Sequence, residues 1–155
     1  MHFKLIIALI EDAYTDDVMD AARKAGADVA ARGFKGLKTN IMMFDAEKPY
    51  IHMPGFNGPS WPELNYDHRV RDALVAEMGA FRRGAGPGVG LHLDLNFNFK
   101  TEGYIRMAQA LEQFDLTWLE IDSYDPDALA TIRRDRKSTR LNSSHMSESR
   151  MPSSA

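Results

Sequence analysis

The chain has 155 residues, of which 44% are hydrophobic and 26% charged, so it is long enough for one domain with a hydrophobic core and shows no general bias toward disorder. Its formal net charge of -3 provides no basic surface for nucleic acid or an anionic membrane. The absence of cysteine excludes disulfides, thiolate metal sites and a cysteine nucleophile, and a reducing, cytoplasmic location is expected.

The predicted elements alternate between strands and helices. Residues 5–10 are continuously apolar, as in a strand that is covered on both faces, and no stretch of the chain reaches the length of a membrane span. Thr15 can cap a helix through its side-chain oxygen. The acidic residues that follow it suit the positive end of the helix dipole. Alternating polarity predicts a second strand at residues 37–44. Residues 45–65 contain four of the seven prolines and predict a long loop.

The rest of the chain continues this alternation. Its elements are a helix that Asp67 can cap and that ends at residues 82–83, a strand at 89–97, a helix at 101–111, a strand at 116–122 and a helix that starts at 125. Strands that alternate with helices imply an α/β fold with a parallel sheet, either an open doubly wound sheet or a segment of a barrel. From residue 135 the composition changes to Ser, Arg and Asn with few apolar residues, which predicts a disordered tail.

Polar side chains recur in pairs on three successive strands. The pairs are Lys38 with Asn40, Asp94 with Asn96, and Glu120 with Asp122. Because residues two apart lie on the same face of a strand and the alternate residues are mostly apolar, each pair is expected to face the interior that leads to the catalytic mouth of a barrel. Asp94 and Glu120, on adjacent strands, suit a hard cation such as Mg²⁺, which binds oxygen ligands. The alternative is a helix cap or a surface position, and Asp122 in particular could cap the following turn.

Three stretches carry a family resemblance. The sequences "ARGFKGLKTN", "VGLHLDLNFNFKTEGY" and "FDLTWLEIDSYDP" resemble consecutive barrel strands of the mandelate racemase and muconate lactonizing group of the enolase superfamily. The resemblance implies a partial (β/α)8 barrel over residues 29–134 and a Mg²⁺-dependent enzyme that abstracts a proton next to a carboxylate. Because a closed barrel usually has about 250 residues, about four βα units are expected here, and the chain alone is expected to be inactive.

The resemblance also implies roles for individual residues. Asp94 matches the first metal ligand and Glu120 the second. Lys38 matches the first Lys of a Lys-x-Lys pattern on the second barrel strand, whereas Asn40 replaces the second Lys, which usually acts as the base. Members with such a replacement resemble acid-sugar dehydratases, whose base comes from a later strand. The implied parent is therefore an acid-sugar dehydratase or a racemase that acts on a small carboxylate, with Lys38 and Asn40 as catalytic candidates and Asn96 at the substrate.

Some parts of the family pattern have no counterpart in the chain. The third carboxylate ligand, the base on a later strand and the capping domain are not found in the sequence. The family resemblance implies that the parent enzyme is a homo-oligomer. The sequence does not specify its substrate or the stereochemistry of its reaction.

The two ends of the chain carry different resemblances. The stretch "MHFKLIIALIEDAYTDDVMDAARKAGA" resembles the first strand and helix of nitrogen regulatory protein P-II, so a nucleotide-binding regulatory module is the alternative function; a barrel strand and helix could also supply these residues. A junction between Ala27 and Ala30 would make the chain a chimera. The sequences "DRKSTRLNSSH" and "SRMPSSA" resemble a translated sequencing adapter. The predicted divisions are therefore 1–28, 29–134 and 135–155.

Overall fold

The computed structural model describes residues 15–44, 49–53, 66–134 and 141–142, so the predicted strand at residues 5–10 and most of the predicted loop lie outside the described residues. The helices are α1 (Thr15–Ala31), α2 (His68–Ala85), α3 (Thr101–Leu111) and α4 (Pro126–Arg134). The strands are β1 (Gly36–Asn40), β2 (Met42–Met43), β3 (Tyr50–Ile51), β4 (Gly90–Asp94), β5 (Trp118–Glu120) and β6 (Leu141–Asn142). Within the described ranges, no helix is long and apolar enough to cross a membrane.

Four of these strands form one sheet in the order β1-β4-β5-β6, and every neighbouring pair is parallel. A helix lies between each strand and the next in this sheet, as parallel neighbours require. The predicted alternation of strands and helices around a parallel sheet is therefore confirmed. Strand β6 lies within the predicted tail, and the other residues of that tail lie outside the described residues.

The helices cover one face of the sheet. Five alternating residues of β4, β5 and the turns that follow them are 0% exposed, namely Leu91, Leu93, Leu95, Leu119 and Ile121. Full burial of a leucine or isoleucine side chain contributes about 1.5–3 kcal/mol, so this row stabilises the sheet against its helices. The opposite face is left for the polar pairs.

The second predicted strand differs from the structure. It was expected to run through residues 37–44, but β1 ends at Asn40, and β2 forms a separate antiparallel hairpin with β3 inside the predicted loop. The cause is a pair of hydrogen bonds from other parts of the fold. The Met42 amide donates to the Glu77 carboxyl at 3.3 Å, and the Ile41 carbonyl accepts from the His52 amide at 2.8 Å, so neither continues the ladder to β4.

Helices α1 and α2 pack through two glycines. A Cβ atom at Gly84 would lie 1.9 Å from the Arg23 carbonyl oxygen, and one at Gly26 would lie 2.7 Å from the Phe81 carbonyl oxygen. The two backbones are therefore in direct contact. Helix α1 also passes without interruption through residues 27–30, where the sequence predicts a junction.

Helix α2 ends later than predicted, and Arg82 organises that end. The predicted end is the pair at residues 82–83, whereas the helix continues to Ala85 and is capped by Gly86 at a φ of 71°. The Arg82 guanidinium donates to four main-chain carbonyls at 2.8–3.2 Å, those of Gly86, Val89, Phe114 and Asp115. It thus ties the end of α2 to the loops that enter β4 and β5.

Arg82→Met is expected to lower the free energy of unfolding by about 2 kcal/mol, because the carbonyls it binds lose a charged donor inside a partly buried corner. Urea unfolding followed by circular dichroism would measure the loss. Arg83→Met is the matched control, since Arg83 is exposed on the same turn and should change stability by less than about 0.5 kcal/mol. Equal stability of the two variants would contradict the role given to Arg82.

Candidate metal and substrate site

The face of the sheet opposite the helices carries two layers of polar side chains. In the layer nearer the carboxyl ends of the strands, Asn40 lies opposite Asp94 and Asp94 lies opposite Glu120. In the layer below, Lys38 lies opposite His92, which lies opposite Trp118. Because neighbouring strands are about 4.8 Å apart, this register places side chains of three strands within reach of one another.

Lys38 joins the two carboxylates. Its Nζ lies 2.9 Å from Asp94 Oδ2 and 2.5 Å from Glu120 Oε2. The Lys38, Asp94 and Glu120 side chains are only 26%, 14% and 10% exposed, so solvent screens their charges incompletely. Partial burial acts to lower the pKa of Lys38, but hydrogen bonds to Glu120 and Asp94 outweigh it and raise that pKa above its usual value. The ammonium therefore remains charged and marks the point where both carboxylates converge.

The loop after β4 turns at Asn96, which has a left-handed φ of 48° that Asn tolerates better than most residues. Its amide donates to Asp94 Oδ1 at 3.0 Å, and its carbonyl accepts from the Tyr104 hydroxyl at 2.5 Å. Burial raises the pKa of Tyr104 well above its usual value, so the hydroxyl keeps the proton that it donates. The Asn96 Nδ2 atom is shielded from solvent and has no hydrogen-bond partner in the part of the chain that the structure describes.

Beside Lys38, the lower layer is built from two aromatic rings. The His92 and Trp118 rings meet edge to face with centroids 4.2 Å apart. Gly36 leaves room for this arrangement, since a Cβ there would lie 2.9 Å from His92 Nε2. Burial, and to a lesser degree the charge of Lys38, lowers the pKa of His92, so at neutral pH the ring is uncharged. The two rings therefore form an uncharged floor below the carboxylates.

The remaining members of the polar pairs on β1 and after β5 are Asn40 and Asp122. The Asn40 side chain makes no hydrogen bond within the described ranges, although its register places it beside Asp94. Asp122 is 8% exposed. The start of α4 is capped by Asp125, whose Oδ1 accepts from the amides of Asp127 and Ala128 at 2.9 and 3.1 Å.

The carboxylates of Asp94 and Glu120 do not by themselves make a complete set of metal ligands. Among the described residues, no three His, Asp or Glu side chains converge as a ligand set. The two carboxylates nevertheless fit Mg²⁺ in chemistry, since both offer oxygens at a common point that a cationic group already occupies. The remaining coordination positions would belong to water, substrate or ligands outside this set.

Glu77 has a position that the sequence reasoning missed. It is 1% exposed on α2, where the predicted apolar stripe includes Leu74, Met78 and Phe81. Position 77 falls on the same helix face as these residues, three residues after Leu74. The sequence feature that could have revealed the buried Glu77 is therefore a charged residue within an apolar helix face.

The parallel sheet and its polar face can be compared with known families. The model of the family described as enolase C-terminal domain-like matches residues 20–143, which is most of the chain. The chain belongs to this enolase C-terminal domain-like family. The resemblance to the mandelate racemase and muconate lactonizing group is thereby confirmed at the level of the superfamily.

Solved structures of enolase-superfamily proteins agree with this assignment. The chain is 38% identical to an L-alanine-DL-glutamate epimerase from Burkholderia xenovorans strain LB400 bound to magnesium and fumarate, with a TM-score of 0.75 over 86% of this chain and 32% of that chain. It is 26% identical to a mandelate racemase/muconate lactonizing enzyme-like protein from Rubrobacter xylanophilus DSM 9941, with a TM-score of 0.63 over 86% of this chain and 32% of that one. A dehydratase from Zymomonas mobilis ZM4, 18% identical, shares the fold with a TM-score of 0.62 over 81% of this chain and 30% of its own.

These matches cover most of this chain but only part of each relative. The chain spans about a third of the length of these solved enolase-superfamily structures, so the fold is a partial (β/α)8 barrel, as predicted. A comparison with curated proteins found no match. The comparisons give no support to the P-II or adapter resemblances, and the family match begins and ends inside those two stretches, at residues 20 and 143.

Proposed function

We propose that this chain supplies two oxygen ligands of a Mg²⁺ site in an enolase-superfamily enzyme that removes a proton next to a substrate carboxylate. The observation that carries the proposal is the convergence of Asp94 and Glu120 on the single point occupied by Lys38 Nζ. The epimerase relative was solved with magnesium and fumarate, a carboxylate, which supports this chemistry for the family.

The roles of the chain's residues follow from their positions. When bound, Mg²⁺ would act as a Lewis acid that polarises the substrate carboxylate and stabilises the negative charge formed by loss of the neighbouring proton. Asp94 and Glu120 would hold the ion, and the Asn96 amide keeps Asp94 oriented. Lys38 provides a positive charge beside the ion for a substrate carboxylate.

Two further side chains are assigned to the substrate. Asn96 Nδ2 is a buried donor with no acceptor in the described part of the chain, and a substrate oxygen would satisfy it. Asn40 lies beside Asp94 and, as an amide, can donate a hydrogen bond but cannot take a proton at neutral pH. We therefore assign the base to a part of the barrel other than β1, which favours the dehydratase form of the family reaction on an acid sugar.

Calorimetric titration of Mg²⁺ into the full chain tests the proposal. The unsubstituted chain is expected to bind Mg²⁺ saturably. Asp94→Asn and Glu120→Gln should each weaken this binding by about tenfold or more, because each replaces a charged carboxylate ligand by a neutral amide. Lys38→Met should strengthen binding, since the ammonium competes for the same oxygens. Glu102→Gln is the control, because Glu102 is an exposed acid that pairs with Arg106 at 2.8 Å. Absence of saturable binding, or binding unchanged in both carboxylate variants, would contradict the proposal.

A further inference from the structure

A buried acid lies on the opposite side of β1 from the carboxylate site. Glu77 is 1% exposed, and its Oε1 lies 2.8 Å from the Thr39 hydroxyl oxygen, while its Oε2 accepts from the Met42 amide at 3.3 Å. The two oxygens therefore contact the chain on either side of Asn40 and Ile41. These are the residues at which the chain leaves the parallel sheet.

The protonation state of Glu77 decides which carbonyl or carboxyl oxygen receives the Thr39 hydroxyl proton. The Thr39 hydroxyl also lies 3.2 Å from the Asn40 carbonyl oxygen, to which it can donate. A protonated Glu77 can donate to Thr39, which leaves the Thr39 proton for the Asn40 carbonyl, while the second Glu77 oxygen accepts from Met42. An ionised Glu77 would instead accept from the Thr39 hydroxyl, and the Asn40 carbonyl would lose Thr39 as a donor.

The surroundings of Glu77 favour the neutral form. Burial raises the pKa of Glu77 to about 8, against the lowering effect of the hydrogen bonds from Thr39 and Met42. No charged side chain of the described residues contributes to this shift. Lys38 on β1 is directed to Asp94 and Glu120 on the other face. The helix neighbours Leu74 and Ala80 are apolar, and the titratable groups in the described part of the hairpin are Tyr50 and His52.

The hairpin that follows β1 is held from the other side as well. The His52 amide donates to the Ile41 carbonyl at 2.8 Å, and Asn98 Nδ2 donates to the His52 carbonyl at 2.9 Å. Asn98 is 0% exposed in the loop after β4. The turn out of β1 is therefore fixed between α2 and the loop that also carries Asn96.

We propose that Glu77 is a positioning residue that, as a neutral acid, sets where β1 ends and so holds Lys38 and Asn40 beside Asp94. The inference concerns the protein without metal and stands apart from the proposed Mg²⁺ site. Release of the proton leaves the Asn40 carbonyl without the Thr39 donor and shifts the end of the strand. Because Lys38 and Asn40 are the chain neighbours of Thr39, their positions shift with the end of the strand.

The test is a pH titration of the full chain by ¹H–¹⁵N NMR, from about pH 6 to about pH 9.5, which brackets the expected ionisation. The amide signals of Asn40 and Met42 should shift with a midpoint near pH 8. In Glu77→Gln they should stay at the low-pH positions of the unsubstituted chain, because the amide reproduces the neutral acid's donor and acceptor. A merely structural role would not produce a titration that the neutral isostere abolishes.

A second variant and a control keep the result decisive. Thr39→Val removes the hydroxyl that would donate to the ionised carboxylate, a hydrogen bond that lowers the pKa of Glu77, so the Met42 midpoint should move to higher pH. Glu102→Gln should leave the midpoint unchanged, since Glu102 is exposed on α3. The proposal is overturned if neither amide titrates in the unsubstituted chain, or if the same titration persists in Glu77→Gln.

Discussion

Glu77→Gln is expected to abolish a loss of stability that the unsubstituted chain undergoes as the pH rises. The unfolded chain releases the Glu77 proton near pH 4.5, whereas the folded chain holds it until about pH 8. Between these values the folded state binds one proton more, so rising pH favours unfolding. The contribution is fully present below pH 4.5, declines through the interval and is lost above about pH 8.

The expected size of this effect is about 5 kcal/mol over the whole interval, since one pH unit corresponds to about 1.4 kcal/mol for one proton. Urea unfolding of both chains at a low, a middle and a high pH within the interval would measure the difference. Glu77→Gln should match the unsubstituted chain at the acid end and exceed its stability at the alkaline end. Glu102→Gln serves as control and should keep the original slope. Parallel stability profiles for the unsubstituted chain and Glu77→Gln would refute the assignment.

Gly84→Ala is expected to destabilise the chain by about 3 kcal/mol, because overpacking against a rigid group has this order of cost. The added Cβ would lie 1.9 Å from the Arg23 carbonyl oxygen and 3.1 Å from the Ala27 nitrogen, both on the backbone of α1. Neither atom can move aside without displacing the helix. The loss should appear even though alanine is intrinsically the better helix former by about 1 kcal/mol.

Gly79→Ala is the matched control for this prediction. It makes the same change on the same helix, but its Cβ would meet the flexible end of Arg83 at 3.1 Å and the Phe114 ring at 3.5 Å. We expect Gly79→Ala to be neutral or slightly stabilising in urea unfolding. If Gly84→Ala proved as stable as Gly79→Ala, the close approach of α1 to α2 would be wrong.

Much of the sheet could be predicted because strand periodicity is local. Alternation within residues 89–97 and 116–122 separates the side chains that face the helices from those that face the site, and the register follows once parallel pairing is assumed. Asp94 and Glu120 are therefore predictable as neighbours. The position of Lys38 Nζ between them is not, because a long side chain can reach either strand and only the packed structure selects its partners.

The hairpin and the helix end were mispredicted for tertiary reasons. Strands of two residues, such as β2 and β3, have no periodicity to detect, and they form here because Glu77 and His52 take the hydrogen bonds that would have extended β1. Helix α2 continues past Arg83 because Gly84 meets α1 rather than ending the helix. In both places a residue from another element determines the local backbone.

The ammonium of Lys38 has a consequence for how the site assembles. It gives the carboxylate pair its own counterion, so Asp94 and Glu120 can come together during folding before any external cation arrives. On the proposed function, Asp94 and Glu120 would hold a divalent ion with the oxygens that Lys38 now contacts. The Lys38 ammonium would then be available to a substrate carboxylate. The same lysine can therefore serve as the counterion of the site before an ion binds and as a substrate contact afterwards.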